Sequence, residues 1–93
     1  MRTIERSSKF KRDYKREMKG RHRATLDADL MVTLIALASD APLDPRCQDH
    51  GLSGDWAGYR DCHVKPDLVL IYAKPRDLTL RLARLGSHSE VFG

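Results

Sequence analysis

The sequence lacks any apolar run that approaches the roughly 20 residues needed by a membrane-spanning helix. Its first residues are charged, and they include no apolar segment of the kind that a secretory signal contains. We therefore expect a soluble protein located in the cytoplasm. The chain is also too short to divide into several cores, so residues 1–93 are expected to form one domain.

Cysteine is scarce as well, with only Cys47 and Cys62, fifteen positions apart. Neither belongs to a CxxC pair, and the closely spaced pairs of a dedicated zinc motif are missing. The sequence therefore predicts two ordinary thiols, no metal and no other cofactor. A zinc site is the weaker alternative, because the histidines of the second half together with Asp67 offer mixed nitrogen and oxygen ligands.

Positive charge, in contrast, is concentrated near the start of the chain. Residues 1–23 hold ten Lys and Arg against three acidic residues, a net charge of +7, whereas the remaining seventy hold seven basic and ten acidic residues, a net charge of −3. A basic block beside a nearly balanced body is typical of a polyanion binder, because each neutralised phosphate releases condensed counterions. A solvated helix surface is the alternative interpretation.

Two helices are predicted in the first half of the chain. The first can be capped by either serine at 7–8, has Phe10, Tyr14 and Met18 on one narrow apolar stripe, and stops at Gly20. The second, over residues 23–39, has the stronger apolar pattern and should be the core helix. Because few residues join them, the two helices are expected to form an antiparallel hairpin.

From residue 59 onward the pattern is that of strands. Strands are predicted over residues 59–64, 68–72 and 78–83, with a turn over 74–77 before the last of them, and residues 2–6 are short enough for an edge strand. Short turns favour an antiparallel meander whose apolar face is covered by the helical hairpin. The sequence thus predicts an α+β fold, an antiparallel sheet packed on an N-terminal helical hairpin, with the other face of the sheet open.

A capping box is predicted near the C-terminus. Ser87 and Glu90 have the S-x-x-E spacing, so a short helical turn should begin at Ser87. This places His88 at the N-terminus of that turn.

The side chains of His63, Asp67 and His88, which are suited to proton transfer, are expected at one rim of the sheet, and His50, in the long loop, could fold over the open face. Histidine takes and gives protons near neutrality, since its ordinary pKa is about 6.5. The candidates are His50, His63, Asp67 and His88. Beside a guanidinium, either Arg84 or Arg60, such a cluster meets the needs of ribonucleolytic phosphoryl transfer. One group takes the 2′-hydroxyl proton, another protonates the leaving 5′-oxygen, and a cation stabilises the phosphate.

Arg84 does not fit a regular third strand. It has the parity of Leu80 and Leu82, so its side chain should point toward the helices and not toward the open face. Either a bulge shifts the register before Arg84, or the strand has by then passed beyond the helical cover. Trp56 and Tyr59 are expected to anchor the core or a loop, whereas an RNA base could stack on a C-terminal aromatic, Phe92.

Three segments resemble one known family. Residues 49–52 read Asp-His-Gly-Leu, residues 56–67 contain the run W-x-G-Y-R-D-x-H-V-x-P-D, and residues 84–93 read Arg-Leu-Gly-Ser-His-Ser-Glu-Val-Phe-Gly. Together they resemble the YafQ branch of the RelE toxin superfamily, and the resemblance extends over essentially the whole chain. It implies the RelE-like microbial ribonuclease fold and a bacterial type II toxin. Such a toxin cuts messenger RNA in the ribosomal A site and is silenced by a cognate antitoxin.

The resemblance also implies roles for individual residues. The catalytic group would be His50, His63, Asp67 and His88. Arg84 and Phe92 would hold the phosphate and the base, and the basic helices would face ribosomal RNA. His88 fits the general acid best, whereas either His50 or His63, with Asp67, would take the 2′-proton.

Two other functions use comparable features. ParE-like toxins share the fold and bind gyrase without cutting RNA, and a plain RNA-binding module would need only the basic helices. The histidine cluster favours the nuclease, because a protein that inhibits by surface binding has no use for three imidazoles at one rim.

Overall fold

A computed structural model describes residues 1–76 and 78–93. The elements in chain order are β1 (Thr3–Arg6), α1 (Ser8–Glu17), α2 (Leu26–Ala38), β2 (His50–Gly51), β3 (Arg60–Lys65), β4 (Leu68–Ala73), β5 (Thr79–Gly86) and α3 (His88–Phe92). Two short 3-10 turns, Pro45–Cys47 and Gly54–Trp56, lie in the long connection between α2 and β3. The turn predicted over residues 74–77 includes Asp77, which lies outside the described residues.

The five strands form one sheet in the order β1-β5-β4-β3-β2. The predicted antiparallel meander is confirmed as β3, β4 and β5, and β2 adds to β3 in antiparallel fashion. The predicted edge strand β1 is also confirmed, but it runs parallel to β5. The sheet is therefore mixed. After β1 the chain crosses to the opposite edge, where it forms β2 and β3, and it returns through β4 to β5, which lies beside β1. The predicted α+β class is confirmed.

The local signals for the helices act largely as predicted. Ser7 caps α1, and its hydroxyl accepts a hydrogen bond from the Phe10 amide at 3.0 Å. Phe10 is buried against the sheet. Both helices are shorter than predicted: α1 ends three residues before Gly20 and α2 begins three residues late, because turns occupy the connection.

Both faces of the sheet bury apolar side chains. The larger core lies on the helix side and includes Phe10, Leu26, Leu30, Leu37, Cys62, Leu70, Tyr72, Leu80, Leu82 and Leu85. The opposite face, predicted to be open, has a smaller core of Val69, Ile71, Ala83 and Val91. The prediction was wrong because α3 folds back onto this face, and Trp56 and Tyr59 pack beside it with their rings edge to face at 5.2 Å.

A bulge in β5 resolves the parity of Arg84. Tyr72 pairs with Leu82, but the preceding Ile71 pairs with Arg84, so Ala83 is the extra residue. Side chains alternate across a regular strand, and one extra residue reverses that alternation. Of the two predicted explanations, the bulge is confirmed. It turns Arg84 away from the helix-side core that holds Leu82.

The last part of β5 lies beyond the reach of β1, whose pairing ends at Leu82. Side chains of α1 cover this bare edge in place of a strand. The Asp13 carboxylate accepts a hydrogen bond from the Leu85 amide at 3.0 Å, and the Arg16 guanidinium donates to the Leu85 carbonyl at 2.8 Å. Both backbone groups of Leu85 are thereby satisfied, which a buried edge requires.

Cys47 and Cys62 are free thiols, as predicted. Burial raises the pKa of the Cys62 thiol, so this side chain acts as a small apolar core residue. Among the described residues, no helix has the length and apolar character required to cross a membrane.

Candidate active site

His50 lies in the short edge strand β2 and not in a loop as predicted. It pairs with Asp61 of β3, so both side chains are on the face opposite the helical hairpin. Its Nδ1 is 2.8 Å from the Gln48 carbonyl oxygen and 3.0 Å from an Asp61 carboxylate oxygen. A carbonyl only accepts hydrogen bonds, so Nδ1 bears the hydrogen and the Nε2 lone pair of the neutral ring remains available.

Asp61 is a site residue that the sequence analysis missed. Its carboxylate is buried, and one oxygen has no well-formed hydrogen bond in the described part of the chain, although His50 lies beside it. The signal in the sequence was its position two residues before His63, since residues i and i+2 of a strand share a face.

His63 repeats the arrangement of His50 on the same strand face. Its Nδ1 is 3.2 Å from the Pro66 carbonyl oxygen, which again fixes the hydrogen on Nδ1 and leaves Nε2 as the acceptor. The side chain is half-buried, two residues before the end of β3. Two imidazoles of this sheet face are therefore oriented by backbone carbonyls with their basic nitrogen free.

Asp67 has different partners from those predicted. Its carboxylate accepts a hydrogen bond from His22 Nε2 at 2.9 Å and also contacts the Arg21 guanidinium. No described hydrogen bond joins it to His50 or His63. The partner of Asp67 is thus His22, the one histidine absent from the predicted cluster. His22 lies in the connection between α1 and α2.

The α3 helix positions His88 and Phe92, and its predicted capping box is confirmed. The Ser87 hydroxyl accepts from the Glu90 amide at 3.2 Å, while the Glu90 carboxylate accepts from the Ser87 amide at 2.8 Å. That backbone hydrogen bond lowers the pKa of Glu90. His88 is exposed, and its ring lies over Phe92 with centroids 4.7 Å apart. Val91 anchors the helix in the smaller core.

The Arg84 guanidinium reaches around the edge of β5 to Asp13. Its Nε donates to one carboxylate oxygen at 2.7 Å and its Nη2 contacts the other at 3.3 Å. Burial alone would raise the pKa of Asp13, which is only 4% exposed, but hydrogen bonds from Arg84 and Leu85 and the charges of Arg84 and Arg16 outweigh burial and lower the pKa. Asp13 is therefore an ionised residue that fixes Arg84, and the sequence analysis did not single it out.

Arg60 is not brought into the cluster. It pairs with Tyr72, which belongs to the helix-side core, so its side chain begins on the other face from His63. The Asp49 carboxylate accepts hydrogen bonds from Arg60 at 3.3 Å, and these bonds raise the pKa of the Arg60 guanidinium. Tyr72 also donates to Asp49. Arg60 is thus paired with Asp49 and not with the candidate histidines.

The sheet register defines how the remaining candidates are arranged. His50, Asp61 and Arg84 lie in one row across β2, β3 and β5, with β4 between the last two. His63 lies in the next row, which ends at β5 immediately before the turn into His88. Neighbouring strands are about 4.8 Å apart, so β3 and β5 are separated by about 10 Å, a span that a dinucleotide can bridge. Asp67 is in the turn at the same end of the sheet.

Within residues 1–76 and 78–93, no group of three or more His, Cys, Asp or Glu side chains is placed to hold a metal ion.

Comparison with known proteins gives one consistent family. A family model described as a bacterial toxin of type II toxin-antitoxin systems, YafQ, matches residues 2–93. The mRNA interferase toxin YafQ of Escherichia coli K12 is 41% identical over 92 residues, which cover 99% of this chain and 97% of that protein.

Solved structures agree with this assignment. A copper-bound mutant toxin from Helicobacter pylori superposes with a TM-score of 0.86 at 40% identity and covers 99% of this chain and 100% of that one. The E. coli DinJ-YafQ complex superposes with a TM-score of 0.84 at 38% identity, with both chains fully covered.

Proposed function

The chain belongs to the YafQ family of bacterial type II toxin-antitoxin toxins, and from that premise we propose that it is an mRNA endoribonuclease restrained by a cognate antitoxin. The E. coli relative is named an mRNA interferase. The observation that supports the proposal most directly is the pair of imidazoles, His50 and His63, which keep a free Nε2 on the sheet face that also leads to His88. A gyrase-binding toxin would need none of these groups.

The proposed reaction is transesterification at one phosphodiester. The Nε2 of His50 or His63 takes the 2′-hydroxyl proton, and the 2′-oxygen forms a bond to phosphorus. The bond from phosphorus to the 5′-oxygen breaks, and that oxygen takes a proton from protonated His88. The products are a 2′,3′-cyclic phosphate and a 5′-hydroxyl. After one turnover the base histidine holds an extra proton and His88 has lost one, so both exchange protons with water before the next turnover.

Asp61 and Asp67 support this chemistry by charge. The Asp61 carboxylate beside His50 stabilises the imidazolium formed when that ring accepts the proton. Asp67, held by His22, keeps a negative charge at the rim near His63. Arg84 stabilises the charge that grows on the phosphate.

Phe92 lies against the exposed ring of His88, where it can stack on the base next to the cleaved bond. This fits the role that the family resemblance implies for it.

An antitoxin partner is supported by the surface of α2. Met31 is 56% exposed and Val32 is 71% exposed, although the helix is apolar on most sides. A groove of about 660 Å³ between α1 and α2 has Phe10 and Leu30 among its apolar lining residues and Lys11 among its basic ones. Such a surface suits an acidic amphipathic segment. The antitoxin and the toxin would meet in the cytoplasm, where translating ribosomes are found.

Ribosome dependence is tested by primer extension on a translated message, with and without ribosomes, after the protein is induced. We expect cuts within the reading frame only when ribosomes are present. Cleavage of the naked message at the same positions and rate would contradict ribosome dependence and leave the nuclease assignment intact.

His88→Gln tests the nuclease assignment itself. We expect it to lower the cleavage rate by about 10²- to 10⁴-fold, the usual contribution of a general acid, while the circular dichroism spectrum is unchanged. Ser89→Ala, on the exposed side of the same helix, is the control and should cut like the wild type. A fully active His88→Gln variant would contradict the acid assignment.

A further inference from the structure

The cations of this chain divide into paired and unpaired groups. Most Arg and Lys side chains outside α1 and its flanks contact a carboxylate or a carbonyl, as Arg81 does with Glu5 at 2.7 Å. Within the described part of the chain, the side chains without a hydrogen-bond or ionic partner are Arg6, Lys9, Lys11, Arg12, Lys15, Lys19 and Arg76. All but the last lie on α1 or within two residues of it, so the unneutralised charge is local.

Two of these unpaired cations line a groove beside the candidate active site. The groove has a volume of about 370 Å³ and is lined by Lys9, Arg12, Asp13, Arg16 and Arg84. All five lining residues carry charge, and four of the five are basic. Arg84 also belongs to the row of the sheet that holds His50, so the groove adjoins the candidate active site through this residue.

Several hydrogen-bond donors in this groove have no described acceptor. Arg16 is occupied by Asp13, Glu17 and the Leu85 carbonyl. Arg84 uses Nε and Nη2, which leaves both Nη1 hydrogens without a described acceptor. The free donors are therefore Arg84 Nη1 and the whole cationic groups of Lys9 and Arg12.

The position of Lys9 costs stability, which suggests a role in binding. It lies in the first turn of α1, where the macrodipole is positive, and that turn has no acidic residue. A cation at a helix N-terminus is unfavourable, because it is repelled by the positive end of the macrodipole. Departures of this kind from local rules are expected at functional sites.

We propose that this groove binds a second phosphodiester of the substrate RNA strand, adjacent to the one that is cleaved; the inference rests on the proposed nuclease function. The strand passes from the histidine face over the edge of β5, and Arg84 stands between the two phosphates. Its Asp13 contact fixes the guanidinium there and leaves both Nη1 hydrogens available to the two phosphates, while Lys9 and Arg12 neutralise the groove phosphate from α1. The ligand class is a single-stranded RNA phosphodiester, recognised without reference to base.

The test compares two charge-matched double variants on the same helix. Lys9→Gln with Arg12→Gln removes the free cations of the groove. Lys11→Gln with Lys15→Gln removes two cations that line the apolar groove on another side of α1. All four side chains are exposed and unpaired in the described residues, and glutamine matches their helix propensity, so both variants should fold. The groove variant should be slightly the more stable of the two, because it removes the Lys9 charge from the first turn of α1.

Binding is measured with a non-cleavable 2′-O-methyl oligonucleotide, by fluorescence anisotropy over a range of salt concentrations. We expect the groove variant to bind about tenfold more weakly than the control variant, since it loses charge-assisted contacts. In the groove variant, the slope of log K against log salt should decrease in magnitude by about 0.7, because one phosphate contact is lost. The control variant should show only the smaller change that follows from its lower net charge. Equal weakening of both variants would overturn the proposal.

A second arm separates the substrate strand from ribosomal RNA as the source of the phosphate. Both variants are titrated against bacterial ribosomes without message. A defect of the groove variant that appears only with ribosomes would overturn the assignment to the substrate strand. The oligonucleotide arm needs no cleavage, so an inactive wild-type protein in primer extension would refute the nuclease function separately.

Discussion

Replacement of Asp13 by Asn should destabilise the whole fold while changing no apolar contact. The carboxylate is almost fully buried and accepts hydrogen bonds from Arg84, Arg16 and the Leu85 amide. An amide of the same shape keeps one acceptor oxygen, but its NH₂ group faces guanidinium hydrogens and cannot accept from them. The ion pair between α1 and β5 is therefore lost.

The expected cost is about 2–4 kcal/mol. Removal of one partner of a buried pair costs about 3–5 kcal/mol, because the remaining charge is left without compensation. Arg84 is partly exposed, and Asn can still accept from the Leu85 amide, so we expect a cost about 1 kcal/mol below that range. Against a total stability of roughly 5–15 kcal/mol, a loss of this size shifts a urea midpoint clearly.

The same carboxylate makes the stability dependent on pH in a definite direction. The pKa of Asp13 is lower in the folded state than its ordinary value. Its stabilising contribution is thus complete above the unfolded pKa, near 4, and is lost as pH falls through the folded pKa. The difference in stability between wild type and Asp13→Asn should be largest near pH 7 and smaller at pH 3.

Urea unfolding at pH 7 and pH 3, followed by circular dichroism, checks both statements. Asp55→Asn is the control, since Asp55 is exposed and has no described partner. An Asp13→Asn midpoint equal to that of wild type, or a difference that does not change between the two pH values, would show that an ionised Asp13 does not clamp α1 to β5.

Three further predictions concern the C-terminal end. Gly86→Ala should lower stability by about 1 kcal/mol in urea unfolding, because an added Cβ would lie 2.7 Å from the Arg16 guanidinium and push it from its partners. Ser87→Ala should cost about 1 kcal/mol locally by removing the α3 cap, seen as faster amide exchange in α3 with a nearly unchanged urea midpoint. Phe92→Leu keeps apolar bulk but no aromatic ring beside His88, so it should weaken oligonucleotide binding by about 1–3 kcal/mol of stacking, measured by anisotropy.

Local signals in the sequence predicted the elements well and their pairing only in part. The serine before α1 and the box of Ser87 and Glu90 specify helix starts through contacts within three residues. The parity of Arg84 left two explanations open, and the bulge is the one observed. The parallel pairing of β1 with β5 was missed, because nothing within a four-residue strand specifies the direction of its neighbour.

The candidate site divides in the same way. The resemblance and the histidine positions predicted a site of His50, His63, Asp67 and His88. The register places His50 and His63 on one sheet face, whereas Asp67 and His88 lie beyond the strand ends and Asp67 pairs with His22. Arg60 was misplaced because its face depends on its register with Tyr72, which its own neighbours do not specify.

By itself, the sequence determined which segments become helices and strands, where α1 and α3 begin, and to which family the chain is similar. These properties depend on side-chain periodicity and on contacts a few residues apart. Only the tertiary structure decided that Asp61 lies beside His50, that His22 holds Asp67, and that Asp13 fixes Arg84 from 71 positions away. Such contacts follow from the packing of α1 against the bare edge of β5 and from strand register, and no local pattern encodes either.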